Sequence, residues 1–147
     1  MWHSRHPTEW GSEEVVTVPK LRVFVVTDIA HGWFEPFARD LVDSLRHSAI
    51  AHLVESHHDV ETCDVAFYLS YGSLVPEEYL ARSTHNIVAH ASDLPNGRGW
   101  SPYVWRILEG ADLISLCLFE AVGKVDSGPI YLQDTVSLDG TELIGEI

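Results

Sequence analysis

Basic residues are scarce in this chain of 147: nine Lys and Arg stand against 22 Asp and Glu, a formal net charge of −13. Nucleic-acid affinity comes largely from Lys and Arg neutralising phosphates, so the deficit argues against a nucleic-acid partner, and no basic run compensates locally. Cysteine is scarce too. Cys63 and Cys117 lack CxxC spacing, which excludes a disulfide framework; both read as reduced, mostly buried residues of a cytoplasmic protein. No run approaches the ~18–20 apolar residues of a membrane span. No basic segment followed by an apolar one marks a signal peptide. What is present is ordinary globular composition, 46% apolar and 21% charged, on the scale of one domain.

Residues 1–20 mix Trp, His, Pro, Ser and Glu without a period and read as a flexible extension ahead of a single domain, 21–147. Residues 21–27 form a short β-branched apolar run, a buried strand. A helix follows over 34–46, with Phe37, Leu41, Val42 and Leu45 on one face. Strands are expected at 49–54 and 64–70, a short helix at 76–81, and a strand at 86–90. Breaker residues make 93–99 a loop. A helix over 102–110 ends at Gly110, and strands at 113–120 and 130–138 flank a Gly-containing turn. A last helix opens at Thr141 and meets the final residue, which reads either as a fragment or as a shorter protein. Strands alternating with helices give an open, mostly parallel α/β sheet.

Two clusters carry chemistry. His90 ends a strand and enters a Gly/Pro loop, and ligands of open α/β sheets sit at the carboxyl ends of strands. Asp126 lies in a turn between two strands, where it reads either as an Asx-turn residue or as a carboxylate partner for a histidine. A histidine held by a carboxylate is a common general base, since the carboxylate fixes its tautomer. His52, His57 and His58 form no clear metal-ligand set and read as part of a polar loop. Arg98 reads as a phosphate ligand or as a surface arginine. Trp100 reads as a stacking platform or as core, and Trp105 as core.

The segment His90-Ala-Ser-Asp-Leu-Pro-Asn-Gly-Arg-Gly, then Trp-Ser-Pro-Tyr-Val-Trp-Arg-Ile-Leu-Glu-Gly110, then Val125-Asp-Ser-Gly-Pro-Ile-Tyr-Leu-Gln133, resembles the formyltransferase family. The family pattern is Asn-x-His-x-Ser-Leu-Leu-Pro, a helix, and a distant Asp-x-Gly-x-Ile-x-x-Gln. Tyr71-Gly-Ser-Leu-Val-Pro76 is similar to the family's segment beside the folate. The resemblance spans roughly 21–147 and implies a Rossmann-like sheet with flanking helices. It implies transfer of a formyl group from N10-formyltetrahydrofolate to an amine, with His90 as base and Asp126 behind it. It also implies that Ser73, Leu74, Val75 and the 122–126 loop, Val122 and Asp126 among them, face the pterin.

The charge favours a small-molecule amine over tRNA, a nucleotide-linked amino sugar first, with Arg98 and Trp100 as its binding residues. No metal is expected. Two rivals stand beside transfer: hydrolysis of the formyl donor, and a catalytically silent folate-binding protein. One departure matters. The family asparagine two residues before the histidine is Val88 here. Asn86 lies on the same strand face but about 6.6–6.8 Å further along, so it serves as a catalytic donor only through a bulge. Asp93 stands where the family has its first Leu.

Overall fold

The computed structural model describes residues 18–29, 32–99 and 102–142. Six strands form one sheet in the order β2-β1-β3-β4-β5-β6. They are β1 (Arg22–Val26), β2 (Ile50–Val54), β3 (Cys63–Tyr68), β4 (Ser83–His90), β5 (Leu113–Glu120) and β6 (Ile130–Ser137). The first four are mutually parallel; β4–β5 and β5–β6 are antiparallel. The helices are α1 (Glu35–Leu45), α2 (Glu77–Leu80) and α3 (Pro102–Leu108). This is the expected open α/β sheet, with an antiparallel hairpin completing the parallel part. Among the described residues no helix is long and apolar enough to cross a membrane.

β1 reads as a continuous apolar run because both its faces are covered. Val23 and Val25 pack with Ala38 and Val42 of α1 on one side; Phe24 and Val26 pack with Val60, Tyr68 and Leu80 on the other. The alternation carries into β4. Ala89 packs on the α1 side and Val88 on the opposite side, with Leu94, Cys117 and Phe119. Asn86, Val88 and His90 therefore share the face away from α1.

Three expectations need correction. The buried stripe of α1 is Ala38 and Val42, flanked by Phe34 and Leu45, whereas Phe37 and Leu41 are exposed. A helix approaches a flat sheet closely where a small residue faces it, and Phe37 instead packs sideways on Trp33 and Phe34. β4 begins at Ser83, three residues earlier than expected, its polar start hidden by Ser-Thr-His; Ser83 Oγ lies 3.1 Å from the Cys63 thiol on the adjoining strand. Trp105, expected in the core, is exposed. Both cysteines are free and buried. Of the extension expected over residues 1–20 only 18–20 are described; of the helix expected from Thr141, residues 141–142 are not helical and the rest lies outside the described residues. Every residue of β6, the edge strand, is exposed.

The α1 assignment has a stability consequence. Ala38→Leu is expected to cost about 1–3 kcal/mol by overpacking, while Leu41→Ala costs less than about 1 kcal/mol. Denaturant unfolding of the two variants checks it; the reverse ranking would put the other face of α1 on the sheet.

Candidate active site

His90 is the last residue of β4, and the chain beyond it is pinned at once. Leu94 is buried against Cys117 and Phe119 of β5. The Asn96 N–H donates to the Asp93 carbonyl, and Gly97 then turns the chain with φ +69°. A side chain at Gly97 would place its Cβ 2.9 Å from Ser92 Cβ, so this close turn requires glycine. The turn sends the Gly97 carbonyl back to His90, 3.1 Å from Nε2.

The second half of the site comes from the loop between β5 and β6. The Ala121 N–H donates to the Asn86 carbonyl, and the loop packs against α2, where a Cβ on Gly123 would lie 2.8 Å from Glu77 Oε1. Asp126 adopts φ +45°, a region Asp tolerates better than most residues. Its Oδ2 accepts the Gly99 N–H at 3.1 Å and lies 3.8 Å from His90 Nε2. Gly128 lets the chain close onto β6, since a Cβ there would sit 1.7 Å from the Glu120 carbonyl oxygen.

His90 and Asp126 therefore meet in one enclosed place, with 11% and 13% of their side chains exposed. The His90 ring presents its edge to Phe119 at 6.4 Å. Both groups facing Nε2 are oxygen acceptors, the Gly97 carbonyl and the Asp126 carboxylate. A neutral His90 thus carries its proton on Nε2 and keeps Nδ1 as a free acceptor. That tautomer suits a base: Nδ1 takes the proton and the carboxylate faces the imidazolium that results.

Asn86 stands elsewhere. It is four residues before His90, roughly 13 Å along the strand at about 3.3 Å per residue. Its amide is occupied by the fold: Nδ2 donates to the Leu80 carbonyl at 2.9 Å, and Oδ1 accepts the Tyr68 hydroxyl at 3.4 Å. Burial raises the pKa of that Tyr68 hydroxyl, so it stays a donor. Asn86 is buried with both ends of its amide partnered, so the structure does not bring it to the His90–Asp126 pair. Val88, at the family's asparagine position, packs against Leu94, Cys117 and Phe119 and offers no polar group.

Most of the other expected residues are exposed. Ser73 and Leu74 are exposed, and Val75 packs at the edge of the core beside Tyr68 and Tyr71. Val122 is exposed on the loop after β5, next to Gly123, which lies close to the Glu77 side chain. Arg98 is exposed and, among the described residues, makes no side-chain hydrogen bond or ion pair. Trp100 lies outside the described residues. His52 stacks on Phe24, and His57 and His58 bond to Tyr71 and Tyr79. Among the described residues no group of three His, Cys, Asp or Glu is placed to hold a metal ion.

Sequence reasoning missed the Gly97 carbonyl and the Gly99 N–H, because backbone groups carry no residue signature. It also missed Glu120. Its Oε1 accepts the Asn86 N–H at 2.8 Å and its Oε2 the Tyr131 hydroxyl at 2.6 Å. A lone acid closing an apolar strand was the available signal. The two glycines differ in a testable way. Gly110→Ala is expected to cost about 1–2 kcal/mol for its left-handed backbone, since it meets no atoms there. Gly97→Ala carries the same strain plus the collision with Ser92, and is expected to cost more in denaturant unfolding. Equal costs would mean that the turn at Gly97 is loose.

No protein-family model matches the chain. Over 94 residues it is 36% identical to the methionyl-tRNA formyltransferase of Cutibacterium acnes, an alignment covering 61% of this chain and 30% of that protein. The fold is similar to methionyl-tRNA formyltransferase from Clostridium thermocellum, with TM-score 0.67 and 18% identity over 80% of this chain and 54% of that one. It is also similar to the formyltransferase PseJ from Anoxybacillus kamchatkensis, solved with UDP-4,6-dideoxy-4-formamido-L-AltNAc and tetrahydrofolate. There the TM-score is 0.57 and the identity 17%, over 79% of this chain and 60% of that one. The chain spans less than a third of the Cutibacterium relative and little more than half of the Clostridium structure. The chain is thus similar to part of a methionyl-tRNA formyltransferase in sequence and shares the fold of formyltransferases, with the motifs at His90 and Asp126 in the order seen in its sequence.

Proposed function

We propose that this chain carries the catalytic centre of a formyl transfer from N10-formyltetrahydrofolate to the primary amine of a small molecule. The observation that carries the reading is His90 Nε2 held between the Gly97 carbonyl and the Asp126 carboxylate, with Nδ1 left free. The donor supplies an activated formyl carbon. The walls at 73–75 and 122–126 expose the apolar side chains of Leu74 and Val122, which suits the flat edge of a pterin. The amine nitrogen forms the new bond to carbon, its proton goes to His90 Nδ1, and as the bond to N10 breaks that proton passes on to N10, giving tetrahydrofolate. Asp126 holds the ring and opposes the imidazolium charge. A net charge of −13 favours a small amine over a polynucleotide. PseJ, solved with a nucleotide-linked formamido sugar, supports a sugar amine of that kind, with Arg98 free to meet its phosphates.

A second reading, a folate-binding protein without transfer, is favoured by Val88. A formyl oxygen gaining negative charge needs a donor, and losing one such donor costs about 100–1,000-fold. Position 88 supplies none, and Asn86 is tied to Leu80 and Tyr68. Hydrolysis of the donor is distinguished by formate released without an amine.

Saturating 5-formyltetrahydrofolate is expected to raise the melting temperature, since a ligand at ~100 times its Kd stabilises by about 2.7 kcal/mol. No shift at millimolar ligand overturns folate binding. Against a panel of nucleotide-linked amino sugars, His90→Ala is expected to lower formyl transfer by at least ~100-fold with folate affinity kept. Asp126→Asn lowers it as well. If the parent transfers formyl to nothing and Val88→Asn gains activity, the silent reading replaces the enzyme.

A further inference from the structure

The histidines beyond β2 do more than fill a polar loop. His57 is buried, in the one-turn 3-10 segment His57–Asp59, and meets Tyr71 at two points. Its backbone N–H lies 3.2 Å from the Tyr71 hydroxyl, and its Nδ1 lies 2.6 Å from the same oxygen. The backbone N–H donates, so the hydroxyl accepts there and donates its own proton to Nδ1. In this arrangement the ring is neutral with its proton on Nε2, and the phenol proton has its acceptor at Nδ1. Among the described residues the Tyr71 hydroxyl has no partner other than His57, and the Tyr71 ring packs at the core edge beside Tyr68.

Tyr71 opens the 71–76 segment, the wall assigned above to the formyl donor. We infer that His57 is a positioning residue for donor binding: neutral His57 clamps Tyr71 and fixes the wall, and acid opens the clamp. This rests on the folate reading of that wall. On protonation both His57 donors aim at one phenol oxygen, and the phenol proton must leave for a new acceptor. The surroundings add to the cost. The His58 ring lies 4.3 Å from that of His57, Tyr79 meets His57 edge-on at 4.7 Å, and the Arg82 guanidinium sits 4.4 Å over the Tyr79 ring. Burial first, then the charges of His58 and Arg82, lowers the His57 pKa below its ordinary value. Asp59 and Glu61 line the open groove beside His58 and Arg82, where Glu61 is engaged by Arg22. The clamp is therefore complete above the ordinary histidine pKa of about 6.5 and is lost as pH falls through the lowered one.

Two measurements on the full chain test this at pH 7.5 and pH 5.8. The first is amide hydrogen exchange of His57, whose N–H donates to the Tyr71 hydroxyl, corrected for intrinsic rates. In the parent, protection is expected to fall at the lower pH. Tyr71→Phe, which lacks the hydroxyl, is expected to show the reduced protection at both. Parent protection that ignores both pH and Tyr71→Phe overturns the clamp. The second is the affinity for 5-formyltetrahydrofolate. The parent is expected to weaken more across this interval than His57→Gln, which cannot titrate. Superimposed pH curves for parent and His57→Gln overturn the positioning role. A parent that binds no folate at either pH, while its exchange still responds to acid, overturns the donor assignment and leaves only the clamp.

Discussion

The site hangs on the backbone of one strand. β4 runs parallel to β3 on one side and antiparallel to β5 on the other, so it is where the sheet changes direction. Its carboxyl end delivers His90 into the loop that the parallel part of the sheet generates. Its middle receives the antiparallel return: the Asn86 N–H goes to Glu120 and the Asn86 carbonyl accepts from Ala121. At that crossing the carboxylate of Glu120 takes the Asn86 N–H as β5 ends, and this frees the chain to lift away as the loop that carries Asp126. Two loops of unrelated origin are thus registered to the same strand within five residues. Their approach to His90 needs no long-range coupling beyond the sheet itself.

Glycine makes the approach possible on both sides. At Gly97 and Gly128 the neighbouring atoms leave no room for a side chain. The polar contacts made by these loops are largely main-chain ones, the Gly97 carbonyl and the Gly99 N–H. A carbonyl cannot move its charge or lose it by protonation at ordinary pH, so half of the histidine's surroundings is fixed by the fold. The other half, Asp126, is the adjustable one.

The central strands were legible because burial on both faces leaves uninterrupted apolar runs at 21–27 and 64–70. His90 and Asp126 were legible because their residue types are rare at a strand end and inside a Gly/Pro turn, and because the order of the motifs resembles a known family. The face of α1 was misread through size: Phe37 and Leu41 look like core, yet the sheet is met by Ala38. The partners of Asn86 are hidden for a different reason. Alternation tells which face a strand residue takes, but its partners at Leu80 and Tyr68 come from segments that only tertiary structure places. The same holds for His57, whose clamp on Tyr71 joins residues 14 apart through two separate strand ends.

β6 is an edge strand with all eight residues exposed, Ile130, Tyr131, Leu132 and Val136 among them. An edge of this kind is a template on which another copy's backbone can add. Two features oppose that in solution. Asp134 sits in the middle of the strand, and the chain's excess of carboxylates makes every copy repel every other. Solubility is therefore tied to the ionisation of groups that have no part in the chemistry. Salt, which screens that repulsion over about 8–10 Å at 0.10–0.15 M, sets how closely two such edges approach. The acidity of the surface, read first as a bar to nucleic acid, also opposes pairing at this exposed edge.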